Sequence, residues 1–362
     1  MMETVLEEKI HALICAGRVE ESISFLQEKR SLADPETHGE VANLIFQLIL
    51  SERRWDDIVR LGLLADEAID HTNRHVAAFY ASRPAFSLDF SQDEETLPLH
   101  RTISGCASCD VRLNGQDLRF WVDTGAEMTV LAKSVAEQCK LPISIGSALS
   151  VENSTNQSFQ TDLAWIDEFE IGAITVQNQA ALVLDDSIVT LEHPITKESE
   201  TIQGIIGWDI LQHLCLTIDF HQNEVTFAKS IPTTERHQNL FFSGSPIVHL
   251  QAEDSIPLLF GLDTGANKSH FHKRILSKLP HLHVKTEKRV SGGLGDVAER
   301  NLNTLEELSL TLSNSTSLLL ENIRETLGEF GEFISLDGIL GVDAAKNKKL
   351  IIDYPNRTFS IE

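Results

Sequence analysis

The sequence predicts a mainly β protein: two similar β-lobes preceded by an α-helical segment. Three observations carry this prediction. The first 82 residues place apolar side chains at three-to-four spacing, as in Val5, Ile10, Leu13, Ile14 and again in Ile23, Phe25, Leu26. Beyond residue 100 the pattern changes to short alternating runs separated by turn residues. The tetrapeptide Asp-Thr-Gly-Ala then occurs twice, at 123–126 and 263–266, each time at the end of an apolar strand.

The chain has 362 residues, enough for two or three domains with real cores. Thirty Lys and Arg stand against 54 Asp and Glu, a formal charge of −24. A phosphate-binding surface needs a basic face, so nucleic acid is excluded as a partner; no basic cluster is denser than Lys346–Lys349. No apolar run reaches the length of a membrane span, since the longest, around Leu44–Leu50, is broken by Gln47. The N-terminus lacks the basic start and apolar core of a secretory signal. Five irregularly spaced cysteines suit a reducing compartment, and a cytoplasmic protein is expected. Cys106 and Cys109 form a lone CxxC without the two further ligands a zinc site needs, and read as strand-packing thiols. No metal and no cofactor is expected.

In chain order, residues 1–82 form a helical domain, with further helical stretches at about 38–50 and 54–68. Arg18-Val19-Glu20-Glu21 and Arg54-Trp55-Asp56-Asp57 each open an amphipathic helix, 36 residues apart. That period fits a helix-pair repeat, and a plain bundle fits equally well. Residues 83–99 turn acidic and carry Pro84 and Pro98, so they read as a linker. A first lobe follows over 100–230, a second linker over 231–244 and a second lobe over 245–362. Asn114-Gly115, between Val111–Leu113 and Leu118–Val122, is a strong hairpin signal.

The repeat extends beyond the tetrapeptide. Gly204-Ile205-Ile206-Gly207-Trp208-Asp209 has its counterpart in Gly338-Ile339-Leu340-Gly341-Val342-Asp343, and Ile218-Asp219-Phe220 in Ile352-Asp353-Tyr354. The tetrapeptides lie 140 residues apart and the later landmarks 134, in one order. This indicates a duplicated domain. Asp209 and Asp343 each precede a short helix-like stretch and read as N-caps rather than as further acids.

An apolar strand ending in Asp-Thr-Gly-Ala, followed some eighty residues later by hydrophobic–hydrophobic–Gly, resembles the aspartic proteases, and each half resembles a retropepsin-type lobe. The resemblance covers about residues 100–362. It implies two homologous aspartic-protease-type β-barrel lobes with an N-terminal α-helical domain outside them. It also implies one catalytic aspartate from each lobe, Asp123 and Asp263, in a monomeric catalytic unit. Two carboxylates about 3 Å apart cannot both ionise, so they share a proton and supply base and acid together. Gly125 and Gly265 allow close approach to the carboxylates. By the same resemblance, Thr124 and Thr264 hydrogen-bond across the lobe interface, and Gly207 and Gly341 end the strands packed behind the active-site loops. Ala126 and Ala266 lack the hydroxyl that many pepsin-like enzymes place there, which should let the dyad titrate higher.

A flap hairpin is expected in each lobe, at Val151–Phe159 with Asn153 and Asn156, and at Val290–Val297 with Gly292 and Gly293. Neither holds the tyrosine of pepsin-like flaps, because the only tyrosines are Tyr80 and Tyr354. Lys268, close after the second motif, is either a neighbour of Asp263 or a solvated loop cation. The His270/His272 and His281/His283 pairs lack ligands around them for a metal. The expected function is an aspartic endopeptidase acting on a peptide or protein substrate, and the alternative is a non-catalytic peptide-binding or scaffold protein. Retention of both aspartates favours the enzyme. The helical domain is open to three roles: pro-region, cleft cover or docking site for a protein partner. Its own apolar faces and the apparent linker favour docking.

Overall fold

The computed structural model describes residues 2–362 apart from 33–34, 52–53, 153–157, 193–195, 234–237, 294–295, 313–315, 327–333 and 347. Strands (43%) outweigh helices (25%), and the helices gather at the N-terminus, so the mainly β class holds.

The first β-unit grows from the Asn114-Gly115 turn. Both residues take positive φ (48° and 75°), the geometry that twists a two-residue hairpin correctly, and Leu113 pairs with Gln116. The hairpin strands Ala107–Leu113 and Gln116–Val122 join a closed six-strand barrel. Around the barrel, Gln116–Val122 is followed by Gly204–Ile206, Val130–Ala132, Ile174–Leu184 and Ser158–Ile171, which returns to Ala107–Leu113.

The second sheet has the same strand order. Pro257–Leu262 is followed by Gly338–Leu340, His270–Phe271, Ser317–Glu325 and Asp296–Leu312, which reaches back to Pro246–Gln251 through Leu250 and Leu312. In both units the strand that ends at the Asp-Thr-Gly loop pairs in parallel with the short strand that ends at the repeated glycine.

The third repeated landmark joins the two units. Cys215–Asp219 and Lys349–Asp353 pair antiparallel at the centre of a five-stranded sheet completed by Glu94–Pro98, Glu224–Ala228 and Thr358–Ile361. A single apolar core runs through both units, from Phe120 and Phe169 to Phe260 and Phe271.

Residues 83–99, expected as a linker, instead contribute two strands. Ser87–Phe90 pairs with Ile174–Gln177, and Glu94–Pro98 pairs with Glu224–Ala228. Phe86, Leu88, Phe90 and Leu97 pack against the core while Asp89 and Glu94 face solvent. The second expected linker likewise carries a strand, Leu240–Phe242, paired with Pro246–Val248.

The N-terminal helices are Met2–Cys15, Val19–Leu32, Pro35–Ser51, Trp55–Arg60 and His71–Ala81. The helix expected over 54–68 stops at Arg60, because Gly62 takes a left-handed conformation (φ 69°) and a 3₁₀ turn, Leu63–Ala65, follows. The apolar faces that suggested a docking module are covered by the β-units. Ile14, Leu26, Ile45, Phe46 and Ile49 share one buried cluster with Phe241, Ile247, Leu259 and Ile339 of the second unit. Val76 and Tyr80 pack with Leu149, Leu163 and Trp165 of the first.

Candidate active site

Each Asp-Thr-Gly loop starts where its parallel strand pair ends. Asp123 N–H donates to Ile206 O (3.1 Å), and Asp263 N–H donates to Leu340 O (3.0 Å). The loops then meet through their threonines. Thr124 Oγ1 donates to Leu262 O (2.8 Å), and Thr264 Oγ1 donates to Val122 O (2.7 Å). Each hydroxyl also accepts the other threonine's N–H at 3.0 Å. Both threonines are 1% exposed, so the four bonds operate away from water, where a missing partner is costly.

This interlock brings the two carboxyl groups into hydrogen-bond contact with each other. Gly125 N–H donates to Asp123 Oδ1 (2.8 Å); Gly265 and Ala266 N–H donate to Asp263 Oδ1 (2.9 and 3.0 Å). The glycines are required by space. A Cβ on Gly125 would lie 2.6 Å from Asp263 Cγ, and one on Gly265 would be as crowded by the Asp123 carboxylate.

The carboxyls sit deep among protein atoms while keeping part of their surface open to solvent. Burial pushes both up from the ordinary carboxylate range. Asp263 is raised further than Asp123, by burial first and then by the negative charge of its partner. The direction matches the expectation attached to Ala126 and Ala266, but its main cause is desolvation. Lys268 points away from the dyad. Its Nζ lies 3.6 Å from Asp343 and its side chain is 47% exposed.

Gly207 and Gly341 have extended backbones, so conformational freedom does not select glycine there. Space does. A Cβ on Gly207 would lie 2.5 Å from the Met128 carbonyl carbon, and one on Gly341 would lie 2.7 Å from Ala266 O.

The N-cap expectation for Asp209 and Asp343 is corrected. The caps are Gly207 and Gly341, neither of which can supply a side-chain bond, and the aspartates lie two residues further on, inside the first turn. Their carboxylates instead hold the segment after each Asp-Thr-Gly loop. Asp209 accepts Thr129 N–H (3.0 Å) and Oγ1–H (2.8 Å). Asp343 accepts Ser269 N–H (2.8 Å) and Oγ1's counterpart there, Ser269 Oγ–H (2.7 Å). Thr129 and Ser269 keep the tetrapeptide spacing of 140 residues, a signal present in the sequence.

The flap expectations fall differently. Asn153 and Asn156 lie outside the described residues. Gly292 and Gly293 pair with Val297 and Asp296 at the end of the hairpin Val284–Gly293/Asp296–Leu312.

Three contacts were not anticipated. Cys106 Sγ–H donates to Gly265 O (3.0 Å), and Asn267 Nδ2–H donates to Ser104 O (2.9 Å), so a loop of the first unit cradles the Asp-Thr-Gly loop of the second. Burial pushes the Cys106 thiol up to about 12, which keeps it protonated as that donor. Ser104-Gly105-Cys106 has a counterpart in Ser243-Gly244-Ser245, which would have marked the loop. The third is the Gln179 amide on Asp209 (2.5 Å). The histidine pairs do not converge: His272 Nδ1 accepts from Arg274 Nε (2.8 Å), and His281 faces Glu253.

Residues 109–210 match the family model described as "Aspartyl protease", a window that runs from the hairpin strand through Asp123 and Gly207 to Ile210. No curated protein matches the sequence. The first barrel, with its Asp-Thr-Gly loop and the glycine strand behind it, belongs to the aspartic protease superfamily.

Proposed function

We propose that this chain is an aspartic endopeptidase whose dyad is Asp123 and Asp263, one from each half of an internal duplication. The observation that carries the reading is the reciprocal threonine interlock, which holds two like-charged carboxyls in contact. A protein that only bound peptides would gain nothing from a pair of buried acids that must share a proton.

In this reading the ionised carboxylate takes a proton from a water, and the resulting hydroxide oxygen attacks the peptide carbonyl carbon. The protonated partner donates to the carbonyl oxygen as its charge develops. Collapse of the tetrahedral intermediate breaks the C–N bond, and a proton passes to the leaving nitrogen. The raised dyad holds its shared proton to a higher pH than a free carboxylate would. The substrate lies extended between the two units, with Ile143–Glu152/Ser158–Ile171 and Val284–Gly293/Asp296–Leu312 closing over it as flaps. Five free cysteines suit a reducing, cytoplasmic setting, and one chain suffices for the catalytic unit.

The test is a diverse peptide mixture incubated across pH 3–8 with the native protein, Asp123→Asn and Asp263→Asn. Cleavage by the native protein alone, blocked by a statine-type transition-state mimic, is the expected result. Identical profiles for all three proteins would overturn the reading.

A further inference from the structure

The N-terminal helices reach the first catalytic loop through a buried polar chain. Trp55 stacks on Tyr80 with ring centroids 4.3 Å apart and planes 3° from parallel. Tyr80, 5% exposed, donates its hydroxyl to Ala180 O (3.4 Å), and Gln179 Nε2 donates to the same hydroxyl (3.3 Å). Gln179 is fully buried, and its amide nitrogen makes its two short bonds to Asp209 Oδ2 and Ala180 O (2.5 Å each), with the longer contact to Tyr80 beside them. Asp209, itself 5% exposed, then holds Thr129 by two bonds. The backbone beside it completes the grip on the loop, with Trp208 N–H donating to Ala126 O (2.7 Å) and Asp209 N–H donating to Glu127 O (3.2 Å).

The second unit builds the same grip with a different support. Asp343 holds Ser269, and Val342 N–H donates to Ala266 O (2.9 Å). There the supporting group is Lys268, a cation from the loop itself. The first unit draws on Gln179, whose amide also meets Ala180 O and Tyr80 of the helical domain. A buried carboxylate needs such donors to stay ionised and fixed.

We propose that Gln179 and Tyr80 are positioning residues for the Asp123 loop, so that the N-terminal helices form part of the frame of the catalytic centre. The proposal rests on the dyad reading above. Gln179 acts on Asp209, Asp209 acts on the segment 126–129, and that segment fixes where the Asp123 carboxyl stands against Asp263. Losing one charge-assisted bond of this kind corresponds to a rate change on the order of tenfold.

The experiment uses the full chain and a polarity swap. Gln179→Glu sets two carboxylates against each other, and Asp209→Asn sets two amide donors against each other. In the double variant, the amide nitrogen introduced at 209 takes the place of Oδ2 and donates to the carboxylate introduced at 179, while the oxygen in the place of Oδ1 still accepts from Thr129 Oγ1–H; the Thr129 N–H bond to Oδ2 is not restored. Each single variant is expected to lower kcat on the order of tenfold with KM within about twofold, and the double variant to recover part of it. Tyr80→Phe, which keeps the stack on Trp55, should lower kcat in the same direction by about threefold. Single variants that melt earlier but keep the native kcat would overturn the proposal, as would a double variant no better than the singles.

Amide hydrogen exchange separates this outcome from failure of the peptidase reading. The Trp208 amide and the amide of residue 209 should exchange about tenfold faster in each single variant and recover in the swap, with Ser269 and Val342 unchanged. That pattern supports positioning even if no peptide is cut, and unchanged protection at Trp208 in the single variants refutes it.

Discussion

Thr124→Val tests the interlock that brings the two aspartates together. Valine keeps the branched shape but removes the hydroxyl. The change deletes the bond from Thr124 Oγ1 to Leu262 O (2.8 Å) and the one it accepts from Thr264 N–H (3.0 Å). A carbonyl and an N–H are then left unpaired at a site 1% exposed, at about 1–3 kcal/mol each, or about 2–6 kcal/mol together. That is a large share of the stability of an ordinary domain, about 5–15 kcal/mol. Thr124→Ser is the control, since it keeps both bonds and gives up one methyl, about 1 kcal/mol. Urea unfolding followed by both tryptophan fluorescence and circular dichroism measures the difference, and coincident curves license the two-state treatment. Thr264→Val should cost a similar amount, because it deletes the mirror-image pair of bonds. A valine variant within about 0.5 kcal/mol of native, or a serine variant as damaged as the valine one, would refute the reasoning.

Gly125→Ala should fold and lose activity on the order of 100-fold, since its Cβ would fall 2.6 Å from Asp263 Cγ and force the carboxyls apart; a variant keeping more than about a tenth of native kcat counts against the crowding. The raised Asp263 gives a signed pH dependence. Between the unfolded value of about 4 and the higher folded one, the native state binds more protons than the unfolded, so its stability falls as pH rises through that window. Asp263→Asn escapes this loss, so its melting temperature relative to native should rise from pH 4 to pH 7, and a flat or falling difference contradicts the raised value. Removing residues 1–82 uncovers Phe241, Ile247, Leu259 and Trp165, so the truncated protein should aggregate or unfold more easily; a soluble, more active product would instead mark the helices as inhibitory.

The parts of the centre that were legible in the sequence are those fixed by close packing. Gly125, Gly265, Gly207 and Gly341 each stand where a Cβ would meet another group inside 3 Å, so the same short motif recurs at each site. Parts that depend on pairing were hidden. The acidic residues and prolines of 83–99 concealed the alternation of Phe86, Leu88 and Phe90, which packs inward only because Ile174–Gln177 lies alongside. Asp209 reads as a cap because it precedes a short helix-like stretch, whereas its carboxylate turns back to Thr129, 80 residues earlier. Gln179 and Tyr80 lie 99 residues apart and follow no motif, so their contact exists only in the folded chain.

The family match ends at Ile210, so the place of Asp263 in the centre rests on geometry. A second Asp-Thr-Gly arising by chance could sit at any strand end. This one ends a strand paired in parallel with a glycine-terminated strand, as Asp123 does. Its threonine exchanges bonds with Thr124 in both directions, and its glycine leaves room for the opposite carboxylate. Each of these relations needs the other half to satisfy it, since Thr124 without Thr264 is a buried hydroxyl with a lost partner. The two loops therefore form one structural unit, and whatever holds either in place, including Cys106 on Gly265 and Gln179 behind Asp209, acts on both aspartates.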